Sequence, residues 1–146
     1  MAGVAFFLEA VGQNGGYICL ETDPGGSVLT RARADPNGSI RQIAFRDALQ
    51  RIGGHADLVK MDCEGAEWGI LDDYESWQEV NFLTMEYHLT AGQRHGAAIS
   101  ALKRIGFTVR SHRPASNFGL VLAERNRRMP SATLGKRGTK WLQNTY

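Results

Sequence analysis

No apolar run in this chain approaches the roughly 20 residues that cross a bilayer, so no membrane span is expected. The stretch Met1 to Leu8 has no basic residues ahead of its apolar ones, and Glu9 soon interrupts it. A secretory signal peptide is therefore not expected, and the cytoplasm is the compartment anticipated. Cysteine is scarce, with only Cys19 and Cys63. Two such residues form no disulfide framework and show no metal-ligand spacing, so both are expected to be reduced. No internal repeat is visible. Acidic residues are missing altogether after Glu124, where six basic residues follow (Arg125, Arg127, Arg128, Lys136, Arg137, Lys140). The preceding 124 residues carry 11 basic and 15 acidic groups. Basic tails contact nucleic acid or anionic lipid in some proteins. Here residues 125–146 are read as a solvated, partly disordered end behind one domain, residues 1–124, with neither a nucleic-acid nor a membrane partner.

The length suits a single domain with its own core. Residues 4–12 and 17–22 are apolar and β-prone. Gln13-Asn14-Gly15-Gly16 between them predicts a hairpin turn, since Asn-Gly tolerates positive φ. Residues 23–39 contain two turn signals, Asp23-Pro24-Gly25-Gly26 and Asp35-Pro36-Asn37-Gly38, and read as a surface excursion. A short strand is predicted over 40–43. A helix follows over 45–52, with Phe45, Leu49 and Ile52 on one face and Gly53-Gly54 ending it. Further on, a strand is expected over 81–88 and a helix over 97–105 capped by Gly106. Strands at 107–109 and 119–123 are expected to pair as an antiparallel edge, with 110–118 as the loop between them. His55, His95 and His112 are placed on the surface. Asp72, Asp73 and Glu75 read as solvated.

The chemistry concentrates in residues 57–71, Asp-Leu-Val-Lys-Met-Asp-Cys-Glu-Gly-Ala-Glu-Trp-Gly-Ile-Leu. This reads as a buried strand, a sharp turn and a helix start. Lys60 and Asp62 share strand parity. Asp62 falls at the strand's carboxyl end, Glu64 and Gly65 make the turn, and Glu67 enters the first helical turn, where the helix dipole favours negative charge. Ligands of open α/β sheets bind outside the carboxyl ends of strands. Glu86 and His88 end the next strand on a shared face.

Lys60-Met61-Asp62-Cys63-Glu64-Gly65-Ala66-Glu67 resembles the K-x-D-x-E-G-x-E signature of FkbM-type S-adenosylmethionine-dependent methyltransferases. Glu86-Tyr87-His88 is similar to the family's E-x-H at the end of its next strand. The resemblance spans residues 4–125 and corresponds to the later half of the family's domain. It implies an α/β fold: a partial Rossmann-like methyltransferase sheet, mostly parallel, with an N-terminal hairpin and an antiparallel C-terminal edge. It implies S-adenosyl-L-methionine as cofactor and O-methylation of a small-molecule or sugar hydroxyl, so a small-molecule or carbohydrate acceptor is the expected partner. In this reading His88 is a candidate base and Glu86 fixes its neighbourhood. Asp62 orients the acceptor or the cofactor, and Glu64 is placed beside Asp62 in cofactor binding. Lys60 pairs with Glu67 or Glu86 and sets the local field.

The family's first cofactor loop, D-x-G-A-N-x-G, is not matched. Val11 to Tyr17 is superficially similar, but Ala10 stands where the loop opens with Asp, and a strand rather than a helix is predicted after the glycines. Two alternatives therefore stay open: a truncated or non-catalytic α/β binding module derived from a methyltransferase, and a metal-dependent hydrolase using Asp62, Glu64, Glu86 and His88. An incomplete sheet leaves an open edge, through which two copies are expected to pair as a homodimer.

Overall fold

The computed structural model describes residues 3–22, 30–63 and 65–126. Within them lies a mixed α/β arrangement of two four-stranded sheets and short helices, with strand predominating. Among the described residues, no helix is long and apolar enough to cross a membrane. The tail from residue 127 onward lies outside the described residues, as do residues 23–29 with the first turn signal.

The first sheet comprises β1 (Ala10–Gly12), β2 (Gly16–Thr22), β3 (Thr30–Ala34) and β4 (Ile40–Ala44), in the order β1-β4-β2-β3. This corrects the hairpin expected at 4–22. β1 and β2 do not pair with each other, because β4 lies between them, parallel to β1 and antiparallel to β2. The Asn-Gly loop bridges over β4 instead. The Gln42 amide of β4 donates to the Asn14 carbonyl at 2.7 Å. A Cβ at Gly12 would fall 2.5 Å from the end of the Gln42 side chain, which would have to shift to admit it. Residues 4–9, expected as strand, belong to no strand, and β1 begins only at Ala10. The excursion after β2 holds an unforeseen strand, β3, paired antiparallel with β2. Its second turn forms as predicted: Asp35 accepts from the Asn37 amide through its carboxylate and from the Gly38 amide through its carbonyl, both at 2.9 Å. Gly16–Thr22 is strand, as expected, so the glycines before it open no helix.

The second sheet comprises β5 (Ala56–Asp62), β6 (Val80–His88), β7 (Phe107–Pro114) and β8 (Phe118–Arg125), in the order β5-β6-β8-β7. β5 and β6 run parallel, and β8 is antiparallel to both its neighbours. The antiparallel hairpin of the last two strands is as expected. Its later strand is not an edge, however: β8 is inserted between β6 and β7. Across both sheets only two of six pairings are parallel, so the mostly parallel expectation is corrected as well. β7 extends through an irregularity between Val109 and Ser111 as far as Pro114, which leaves only three residues for the loop.

Four helices, α1 (Phe45–Arg51), α2 (Glu67–Leu71), α3 (Tyr74–Trp77) and α4 (His95–Arg104), cover one face of this sheet. Their Phe45, Leu49, Ile70, Leu71, Trp77, Ala101 and Leu102 pack with Met61, Leu83, Met85, Tyr87, Val121 and Ala123 from the strands. Leu83, Met85 and Tyr87 recur at the strand period of two, so one side of β6 is wholly buried. Trp77 is fully buried, packs tilted against Phe45 and edge-on to Phe107, and donates its indole N–H to the Ile70 carbonyl at 2.8 Å. Ile52 is exposed rather than buried, because α1 ends at Arg51 and Gly53 and Gly54 take positive φ. Asp73 is not simply solvated: it caps α3, accepting from the Ser76 amide at 3.3 Å.

Arg125, assigned above to the tail, belongs to the body. It ends β8, donates to the carbonyls of Trp77, Val80 and Ile105, and lies over the Phe107 ring.

Candidate functional site

β5 and β6 end side by side, with Asp62 in register with Glu86. Gly65, at φ +105°, turns the chain from β5 into α2, a conformation that L side chains rarely adopt. The turn brings Glu67 back under the strand ends, where it is fully buried. One carboxylate oxygen accepts from the backbone amides of Cys63 at 3.2 Å and Gly65 at 3.1 Å. Glu67 therefore does more than favour a helix dipole: it ties the turn together. Its other oxygen is buried with no hydrogen-bond partner among the described residues.

His88 is half-buried at the end of β6. Its Nδ1 lies 3.4 Å from the Glu67 carboxylate, and its Nε2 lies 3.6 Å from that of Glu86. The first distance is a long hydrogen bond and the second an ion-pair separation. An imidazole with a carboxylate beside each ring nitrogen has its ring plane and position set by both. The backbone here is anchored too. Trp68 of α2 donates its indole N–H to the His88 carbonyl at 2.8 Å, and the Phe118 ring stacks against the imidazole.

The expectation for Lys60 is corrected. Among the described residues it pairs with neither Glu67 nor Glu86, and the carboxylate it meets is that of Asp62 at 3.9 Å. Its side chain is 76% exposed, so the contact is a surface ion pair of small energetic weight. β5 is likewise not a buried strand: it lies at the sheet edge, and its Leu58, Lys60 and Asp62 face is uncovered. Glu64 lies outside the described residues. Asp62 is the register partner of Glu86, whose carboxylate lies 3.6 Å from His88, and Glu67, expected as a helix acid and as a partner for Lys60, meets His88 instead. Its signal was present in Glu-x-x-Glu across a glycine turn, which returns the second acid to the turn amides.

Burial, then the Glu67 charge, pushes the Cys63 thiol up to about 11. Cys63 is thus a neutral wall of the site at physiological pH rather than a nucleophile. Both cysteines are free thiols, as expected.

A second polar cluster lies away from this site. The buried Tyr87 hydroxyl is 2.7 Å from His95 Nδ1 and 2.7 Å from His112 Nε2. These histidines are half-buried, which corrects their placement on the surface, and they lock α4 and β7 onto β6. A cavity of about 410 Å³ opens at the opposite end of the sheet, beside Phe82 and Arg110, and holds none of the site carboxylates.

Comparison with known proteins adds no relative: no protein-family model matches the chain, and no match exists among the curated proteins or the solved structures searched.

Proposed function

We propose that the chain is the later half of an S-adenosyl-L-methionine-dependent methyltransferase domain, of Rossmann-like type, acting on a small-molecule or sugar hydroxyl. The observation that carries this reading is His88, held between Glu67 and Glu86 at the carboxyl ends of two adjacent parallel strands. An antiparallel strand inserted beside that parallel pair is compatible with it. The carboxylates suit the cationic part of the cofactor: Asp62 and Glu86 stand in register, and the buried Glu67 keeps an oxygen with no hydrogen-bond partner among the described residues. Asp62 would hold the cofactor's ammonium or orient the acceptor, with Glu64 beside it. When bound, the cofactor supplies a methyl group already activated on a sulfonium. The chain's task is to place an acceptor hydroxyl and remove its proton. His88 receives that proton, with its ring held in place between Glu67 and Glu86.

Calorimetric titration with S-adenosyl-L-methionine and its demethylated product tests the reading. Saturable binding is expected, weakened about tenfold (about 1.4 kcal/mol) by Asp62→Asn. In methyl-transfer assays with binding intact, His88→Ala is expected to lower turnover by about 100-fold or more, the usual worth of a general base. A folded chain that binds neither compound would overturn the reading and leave the non-catalytic module, which the strand following Gly15-Gly16 favours. The hydrolase alternative relies on Glu64. Among the described residues no group of three His, Cys, Asp or Glu side chains could hold a metal ion.

A further inference from the structure

The Tyr87 hydroxyl joins three elements at one oxygen. His95 is the first residue of α4, and its Nδ1 lies 2.7 Å from that oxygen; His112 comes from β7, and its Nε2 lies 2.7 Å away as well. Local features bring these groups together. The irregularity between Val109 and Ser111 sets Val109 opposite Ala123 and His112 opposite Val121, so both face the buried side although they are three residues apart. Gly119, the register partner of Tyr87, leaves room for the phenol: a Cβ there would fall 2.4 Å from the hydroxyl oxygen.

A tyrosine hydroxyl has a single hydrogen and accepts through its lone pairs. It donates to one imidazole nitrogen and accepts from the other, which carries a hydrogen. This pattern is complete with both imidazoles neutral and stays complete with one of them protonated. It fails when both are protonated. Both rings then present N–H groups to the same oxygen, and the hydroxyl hydrogen, on a fully buried residue, has no other acceptor among the described residues. Two positive rings also stand with centroids 6.0 Å apart.

The surroundings do not offset that charge. α4 has no acidic residue in its first turn, where the helix dipole opposes a positive charge, and Arg94 precedes it. On β7 the charged neighbours are Arg110, paired with Glu124, and Arg113. Glu86 and His88 leave β6 on the face opposite Tyr87, β8 contributes Gly119 and Val121, and Trp68 of α2 meets the Tyr87 ring edge-on. Among the described residues, the carboxylates within ion-pair distance of a histidine are those of Asp57, Glu67 and Glu86, and they meet His55 and His88.

We propose that Tyr87, His95 and His112 form an acid-sensitive latch. It holds the start of α4 and the end of β7 on β6 while at least one imidazole is neutral, and it opens when both are protonated. The closed latch takes up one proton where the two released histidines take up two. Its hold is therefore present above the range in which ordinary histidines titrate, about pH 6.5, and is lost as pH falls below it. The stretch 89–94 joins His88 to His95, so opening frees one end of the loop beside the candidate site. This inference stands apart from the methyltransferase reading.

Amide hydrogen exchange followed by NMR, with protection corrected for the intrinsic pH dependence of exchange, reads the latch. Between about pH 7.5 and about pH 5, on either side of the ordinary histidine value, the amides of α4 in the wild-type chain are expected to lose about tenfold in protection, the scale of one unsatisfied buried donor. Those of Leu83 and Met85 in β6 are expected to hold theirs. Tyr87→Phe keeps the ring and removes the hydroxyl. Its α4 is expected to start at the lower protection at the upper pH and to lose no more on acidification. His112→Gln sets an uncharged amide where Nε2 stood, which accepts the hydroxyl hydrogen, and is expected to keep α4 protected at both values. Wild-type protection of α4 that does not change with pH overturns the proposal. So does a fall in Tyr87→Phe or in His112→Gln as large as that of the wild type, which would place the acid sensitivity elsewhere.

Discussion

The two faces of the second sheet belong to the same strands and differ in nearly everything else. On one face Leu83, Met85 and Tyr87 of β6 are closed off by four helices. On the other, Phe82 remains exposed, and the line it begins ends in Glu86 and His88. The first face is where burial stabilises the fold. The second carries the candidate chemistry, at a strand end where polar groups stay reachable. A strand pattern of period two permits both, and the packing of the helices decides which face is the core.

This contrast can be broken most forcefully from the buried side. Leu83→Ala is expected to cost about 3 kcal/mol of stability, with a range of about 2–5, as measured by urea denaturation. Glu67→Ala should follow at about 2–3 kcal/mol, because the Cys63 and Gly65 amides lose their buried acceptor. Glu67→Gln, which keeps an acceptor oxygen, is expected to recover most of that loss.

Cys63 sharpens the comparison through pH. Its thiol rises in the folded state from an ordinary value of 9.0 to about 11. The neutral form is the one the fold favours, so the stabilisation is complete below pH 9 and is lost as pH climbs toward 11. A loss on the order of 2 kcal/mol across that window is expected, and Cys63→Ala should remove this part of the alkaline decline. Alkylation of Cys63 should likewise be slow at neutral pH and accelerate toward pH 11. The smallest effect belongs to the open face: Phe82→Ala is expected to change stability by less than about 1 kcal/mol. A cost matching that of Leu83→Ala would mean that the face is covered in solution.

Much of the candidate site was legible because its determinants are local. Asp62 ends an apolar strand, Gly65 supplies the left-handed turn, and Glu86 and His88 are two residues apart on one strand. Pairing was less legible. The loop of Asn14 and Gly15 looks like a hairpin because turn chemistry describes only a few residues, whereas the strand seated between β1 and β2 comes from nearly 30 residues further along. Lys60 was misread for a related reason. Whether a strand residue is buried depends on what covers its face, and no helix covers that of Lys60. Tyr87, His95 and His112 come from three elements, and nothing in their spacing announces that they meet at one hydroxyl.

By itself the amino-acid order determined the strand, glycine turn and helix around Asp62, the helix endings at Gly53 and Gly106, and the alternation that makes β6 two-sided. These follow from backbone sterics and side-chain periodicity within a few residues. Only the tertiary structure decided that β4 parts β1 from β2, that β8 enters between β6 and β7, and that Glu67 turns back beneath His88. Those outcomes come from burying apolar surface between segments far apart in the chain, and that free energy belongs to the packed arrangement rather than to any one stretch of it.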